Sequence, residues 1–249
     1  MSEETRERYA VVDMLRGLAL VNMVAYHAVW DLVYLYGVSW QWFLGTPGAL
    51  WQQAICCTFI FVSGFSQPWS RQPIYRGAVV FLWGLAVTVV TLVVMPQAVI
   101  IFGVLTCIGT CMLLFGLAAP LFRHLTRHAG VVFIGSMLCF LGTRSLVGGS
   151  IGFGPWQWTL PKSLQSGWLS TFLGWPMSGF FSADYFPLLP WLFLFAAGWA
   201  LHQLMAQKNV LHVLAPRTIP PLEWCGRYTL WIYLAHQPVI TLLLRMALG

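Results

Sequence analysis

Charge is what this sequence has least of. Only 8% of its 249 residues are charged, against 59% hydrophobic. A soluble domain carries roughly 25% charged residues and turns the polar face of its helices to water. Too few charges are present to cover such a surface, so an ordinary soluble fold is excluded and lipid becomes the main solvent. Acids are scarcer than bases, seven against thirteen, for a formal net charge of +6. That excess does not point to nucleic acid. The basic residues form short clusters between long apolar runs, as membrane topology requires, rather than a stripe interleaved with exposed aromatics. Cysteine is sparse: Cys56, Cys57, Cys107, Cys111, Cys139 and Cys225 lie in or beside apolar runs, without the spacing of a secreted disulfide framework. Cys107 and Cys111 share a helix face but have no third or fourth ligand, so no metal site is expected and all six read as small packing residues. No small-residue cleavage site follows the mixed-charge Met1–Tyr9 stretch, and the first apolar run is expected to stay as an anchor. No internal repeat or low-complexity segment is visible.

Long apolar runs and tryptophan are plentiful instead. A spanning helix needs ~20 largely apolar residues, and runs of that kind fall near 10–34, 48–68, 75–95, 98–120, 129–147, 186–206 and 227–247. The fourteen Trp residues suit interfacial belts, where an apolar ring with one polar N–H is most comfortable. The stretch from about 148 to 185, rich in Gly, Pro, Trp and Ser, is too polar to span and is expected to form an ordered outer cap or a re-entrant loop. The expected fold is an all-α integral membrane bundle of about seven transmembrane helices, a single domain over 1–249. The positive-inside rule orients it. With the N-terminus inside, the inner face collects Arg6, Arg8, Arg16, Arg71, Arg76, Arg123, Arg127, Lys208, Arg217 and Arg227, and the outer face keeps Arg144, Lys162 and Arg245. The odd span count then puts the C-terminus outside.

Ionisable groups inside a span cost at least ~2.5 kcal/mol each on insertion scales, so each needs a reason. Asp13, Arg16, His27 and Asp31 all lie in the first span, and at ~100° per residue they form one polar stripe. Arg16 belongs near the inner leaflet and His27, ~16 Å further along the axis, in the outer half. His27 and Asp31 are an i,i+4 pair. A carboxylate beside one imidazole nitrogen would fix the tautomer and leave the other nitrogen as a base. Asn22 points away from the stripe, towards a neighbouring helix. The last span adds Thr229, Tyr233 and His236 on one face, then Gln237 and the helix-perturbing Pro238. Asp184 and Tyr185 mark the outer entrance of the sixth span, where the acid lines a substrate pocket or caps the helix. Arg144 is a candidate counter-ion for Asp184 or Asp31, or snorkels to headgroups. Arg76, with the other inner arginines, suits a phosphorylated ligand as well as topology. Gly109 and Gly116 give the fourth span small residues for close packing. For the whole stripe the plain alternative is helix–helix adhesion without chemistry.

Val12-Asp13-Met14-Leu15-Arg16-Gly17-Leu18-Ala19 followed by Tyr26-His27 resembles the opening of a family of membrane acyltransferases, the bacterial relatives of the heparan-alpha-glucosaminide N-acetyltransferase catalytic domain. Phe102-Gly103-Val104-Leu105 with Ile108-Gly109, Asp184-Tyr185-Phe186-Pro187 through Pro190-Trp191, and Gly226-Arg227-Tyr228-Thr229-Leu230 running into Tyr233-Leu234-Ala235-His236-Gln237-Pro238 extend the resemblance over most of the chain. The spacing of Arg16 and His27 is also similar to the arginine–histidine motif of the acyltransferase-three family. The resemblance implies transfer of an acyl group, typically acetyl from acetyl-CoA, across a bacterial inner membrane to a sugar or similar acceptor. His27 would be the base or acyl carrier with Asp31 orienting it. Arg16, Asp13, Arg76 and His236 would serve the CoA side, and Asp184, Tyr185, Arg144 and Tyr233 the acceptor. The larger enzymes of these families have more spans, so this chain would be a minimal version, act with a partner or as a homo-oligomer, or have lost transfer activity. Two other classes use the same stripe: a proton-coupled transporter or flippase, and a non-catalytic membrane scaffold.

Overall fold

The computed structural model describes residues 9–216 and 219–248, the side chain of Arg123 excepted, so Arg6, Arg8 and Arg217 lie outside the described residues. The helices in chain order are α1 (Ala10–Tyr34), α2 (Gln41–Leu44), α3 (Thr46–Ser66), α4 (Pro73–Val94), α5 (Val104–Leu117), α6 (Ala119–Leu125), α7 (Ala129–Thr143), α8 (Trp168–Leu173), α9 (Leu188–Gln207), α10 (Pro220–Arg227) and α11 (Thr229–Leu248). Five stretches are long and apolar enough to cross a membrane: Thr46–Trp69, Pro73–Val94, Thr126–Gly148, Leu188–Gln207 and Thr229–Leu248. They mark a multi-pass membrane protein. Helix α1 has 25 residues, ~37 Å against a hydrocarbon core of ~30 Å, but its ionisable stripe dilutes its apolar character. Helix α5 has 14 residues and is short. The expected span at 98–120 begins only at Val104, because Phe102 sits at φ +55°, a left-handed conformation that ends extended backbone and cannot be part of a helix.

The chain forms two compact units, one of residues 1–62 and 209–249 and one of 63–208. In the first, α1 packs along α10 and then α11. Glycine lets the α1 and α10 backbones touch. A Cβ on Gly17 would lie 1.8 Å from the Leu222 carbonyl oxygen, and one on Gly226 would lie 1.8 Å from that of Asp13. Leu20 and Met23 of α1 and Ile55 of α3 form a small core, with Tyr26, Trp51, Ile232 and Tyr233 packed against it. Asn22 accepts a hydrogen bond from Trp51 Nε1 at 3.0 Å, which ties α1 to α3 as the sequence pattern suggested.

In the second unit α4 packs on α5 and α7 on α9. Glycine serves again: a Cβ on Gly109 would meet Phe81 N at 2.5 Å, and one on Gly84 would meet Thr106 N at 2.7 Å. Helix α9 is apolar all round, and such a helix is buried: Phe195, Ala197 and Ala200 are fully enclosed. The stretch between α7 and α9 departs from an all-α fold. Strands β1 (Ser150–Phe153) and β2 (Trp156–Thr159) form an antiparallel hairpin in the register Ser150 to Thr159. Its two-residue turn starts at Gly154, where φ is +48°, as a hairpin loop of this length prefers.

Candidate active site

The first unit brings four polar side chains of α1 and α11 together. Asp31 is fully buried, and both of its carboxylate oxygens accept from Gln237 Nε2, at 2.8 and 3.0 Å. The expected bond from Asp31 to His27 is therefore corrected. The two residues share a face of α1, but Asp31 lies against α11, where the amide of Gln237 reaches it. A buried carboxylate needs donors, and the amide supplies them. The His27 ring instead faces His236, with centroids 4.8 Å apart and planes at 54°.

His236 is held from behind. Its Nδ1 is hydrogen-bonded to the Tyr233 carbonyl, and the Tyr233 ring lies 5.4 Å from its own. A carbonyl only accepts, so Nδ1 carries a proton and, in the neutral ring, Nε2 presents a lone pair. Among the described residues that Nε2 is buried without a partner, and so is Gln237 Oε1. Helix α11 runs unbroken across Pro238, which places these two orphaned atoms on the turn just before the proline.

At the opposite end of α1, Arg16 Nη1 donates to Asp13 Oδ1 at 3.0 Å. The contact of Gly226 with Asp13 sets α10 beside this pair, and α10 adds a second: Arg227 Nη2 lies 3.5 Å from Glu223 Oε2. Glu223 is buried and was not anticipated. Its signal was available in the i,i+4 spacing of Glu223 and Arg227. Gln237 belongs to the run Tyr233–Pro238 that carries the family resemblance, without a partner of its own being indicated. Nothing in the spacing names a partner 206 residues away.

The remaining candidates lie in the second unit. Asp184 does not cap its own helix. Its Oδ2 accepts from Val104 N at 3.3 Å and so caps α5, beside Gly103, where a Cβ would come within 3.2 Å of the carboxylate. Three more hydrogen bonds dock the same segments: Ala183 N to Val99 O, Ile101 N to Ser182 Oγ and Phe186 N to Phe102 O, each 2.9 Å. Burial pushes the Asp184 carboxyl up to about 6, and the Val104 N–H pulls the other way. Burial likewise raises the Tyr185 phenol, whose hydroxyl donates to the Thr171 carbonyl. Arg144 makes no ion pair with Asp184. Its guanidinium lies over Phe140 and Trp191, 5.3 and 5.4 Å from the ring centroids, a cation–π contact that suits an exposed cation at a helix end. Arg76 is exposed in the first turn of α4.

Sequence comparison supplies the frame for this geometry. The family model of the heparan-alpha-glucosaminide N-acetyltransferase catalytic domain matches residues 8–238. The chain belongs to that family. No curated protein and no solved structure gives a match. The matched span of this acetyltransferase-type domain contains α1 entire and α11 up to Pro238, so the His27–His236 and Asp31–Gln237 contacts both fall within it.

Proposed function

We propose that this chain is a membrane-bound acyltransferase that moves an acetyl group from acetyl-CoA to a sugar or similar acceptor on the other side of the membrane. The observation that carries the proposal is the His27 imidazole. It stands on a helix of a membrane chain of this family, without a carboxylate partner among the described residues and facing a second imidazole. His27 is placed to attack a thioester carbonyl or to take the proton of an acceptor.

Asp31 and Gln237 set the register of α1 against α11 and keep the two imidazoles opposite each other. Arg16 and Arg227, paired with Asp13 and Glu223, are the cations of the first unit that would meet the phosphates of CoA. The distance of Arg16 from His27 along α1, ~16 Å for eleven residues, suits a donor whose charged head and thioester are far apart. The N-terminal end of α1 is assigned to the cytoplasmic side, where acyl-CoA is present, and the His27 end to the outer half.

The test is acetyl-CoA binding and turnover by the purified chain in nanodiscs, with wild type, Arg16→Ala and His27→Ala compared. Saturable binding that Arg16→Ala weakens, with His27→Ala binding but neither transferring nor hydrolysing acetyl, supports the proposal. A folded wild type that binds no acyl-CoA refutes it. Proton-coupled flux in that sample would then assign the buried His and Asp residues to transport.

A further inference from the structure

We infer that His236 is the base of the acceptor half of this reaction, and that it returns the acceptor's proton to His27, the acyl carrier. The inference rests on the acyl-transfer reading above and goes beyond it by dividing the chemistry between two imidazoles. Four observations support it. The two rings face each other at 4.8 Å, close enough for a proton to pass between nitrogens after a small rotation. The Tyr233 carbonyl holds the proton on Nδ1, so Nε2 is the lone-pair nitrogen. Among the described residues that nitrogen is enclosed and without a partner, and, facing a second imidazole, it is a lone pair available to take a proton. Finally, Gln237, the next residue, is bonded to Asp31 on α1, which locks the two helices in the register that faces the rings.

His27 has the complementary character. Among the described residues no carboxylate fixes which of its nitrogens bears the proton, as a carrier that alternates between acylated and free forms requires. In the first half-reaction a His27 nitrogen attacks the thioester carbonyl. The C–N bond forms, the C–S bond breaks, and the thiolate takes the proton of the other His27 nitrogen and leaves as free CoA. In the second half-reaction an acceptor hydroxyl or amine attacks the acyl carbon while His236 Nε2 takes its proton. The C–N bond to His27 breaks, and the proton passes from His236 to the departing His27 nitrogen. Both rings end neutral, so no outside acid or base is consumed.

The experiment uses the full chain in nanodiscs with acetyl-labelled acetyl-CoA and glucosamine as acceptor. Wild type, His27→Ala, His236→Gln and His236→Ala are compared, each checked for a single size-exclusion peak. Glutamine keeps a donor for the Tyr233 carbonyl and so spares the fold. His236→Gln is expected to acetylate His27 and release CoA at the wild-type extent, yet to transfer acetyl to glucosamine about 100-fold more slowly. His236→Ala should regain transfer when free imidazole is added. Wild-type transfer by His236→Gln overturns the inference, and so does a folded His236→Gln that fails to label His27. Wild-type transfer without any label on His27 overturns the carrier role alone and leaves the acyltransferase standing. A wild type that neither labels nor transfers removes the acyltransferase reading itself.

Discussion

The α1–α10 pair and the α4–α5 pair bring helix backbones into contact with the same residue, and then use that contact differently. Glycine removes the side chain at Gly17 and Gly226 in one, and at Gly84 and Gly109 in the other. In α4–α5 the seam is closed by apolar groups and by threonines whose hydroxyls turn back to their own helix, as Thr110 does to the Thr106 carbonyl. Charge stays at the ends of the second unit, with Asp184 on the α5 N-terminus and Arg144 on two aromatic rings. In α1–α10 the same seam runs beside two ion pairs, and α1 continues to Asp31 and His27 against α11. Close approach is therefore general in this molecule, whereas ionisable groups along a helix face are a property of the first unit. Packing alone explains the second region and does not explain the first.

The sharpest way to break that contrast is to remove one histidine from each unit. His27→Gln should lower acetyl transfer about 1000-fold, roughly 4 kcal/mol in the barrier, with little change in the melting temperature. His202→Phe is the counterpart in the second unit. His202 is buried between Phe65 and Trp69, and an aromatic replacement should keep transfer within about twofold while altering stability by about 1 kcal/mol. A similar loss of turnover in both would erase the functional difference between the regions.

Gly17→Ala should cost about 3 kcal/mol or more, because its Cβ would collide with backbone rather than with a flexible side chain. Gly109→Ala should cost nearly as much, since the packing device is shared. Gly130→Ala, where nothing lies within 4 Å, should be neutral or stabilise by up to about 1 kcal/mol. Thermal unfolding in detergent ranks the three. Asp31→Ala strands Gln237 and should destabilise by about 1–2 kcal/mol, whereas Asp31→Asn, which can still accept from the amide, should cost less.

The smallest expected effect is a pH dependence that belongs to the second unit. The folded value of Asp184 is raised, from 3.8 to about 6, so ionisation works against the fold. Stability is greatest while the carboxyl is protonated in both states, falls as pH rises from 3.8 to about 6, and is level above. Asp184 keeps part of its surface exposed, which limits the change to the order of 1 kcal/mol. Asp184→Asn keeps an acceptor for Val104 N and should flatten the melting temperature between pH 4 and about 6. An unchanged slope in that variant would assign the dependence to another group.

The long apolar runs were legible at once, because a helix in lipid must be apolar over its whole length. Five of the seven expected spans coincide with stretches long and apolar enough to cross a membrane, and the first with the 25-residue α1. The fourth does not, since the positive φ of Phe102 is a consequence of docking against residues 182–186 that no local pattern announces. The stripe of Asp13, Arg16, His27 and Asp31 was legible from helical periodicity, and Asn22 was correctly set apart from it.

What each member of that stripe touches was not legible. The i,i+4 spacing of His27 and Asp31 states that they share a face, and spacing says nothing about which of two possible partners is nearer. Sequence by itself determined that this is a lipid-solvated bundle, that α1 carries the ionisable groups and that the chain belongs to an acetyltransferase family. Those features follow from composition, from periodicity and from motif residues in fixed order. Only the tertiary structure decided that Asp31 turns to Gln237, that Asp184 caps a helix 80 residues earlier, and that His27 is left facing His236. Each of those outcomes depends on which helix packs against which, and a buried polar group takes whatever donor that packing brings within reach.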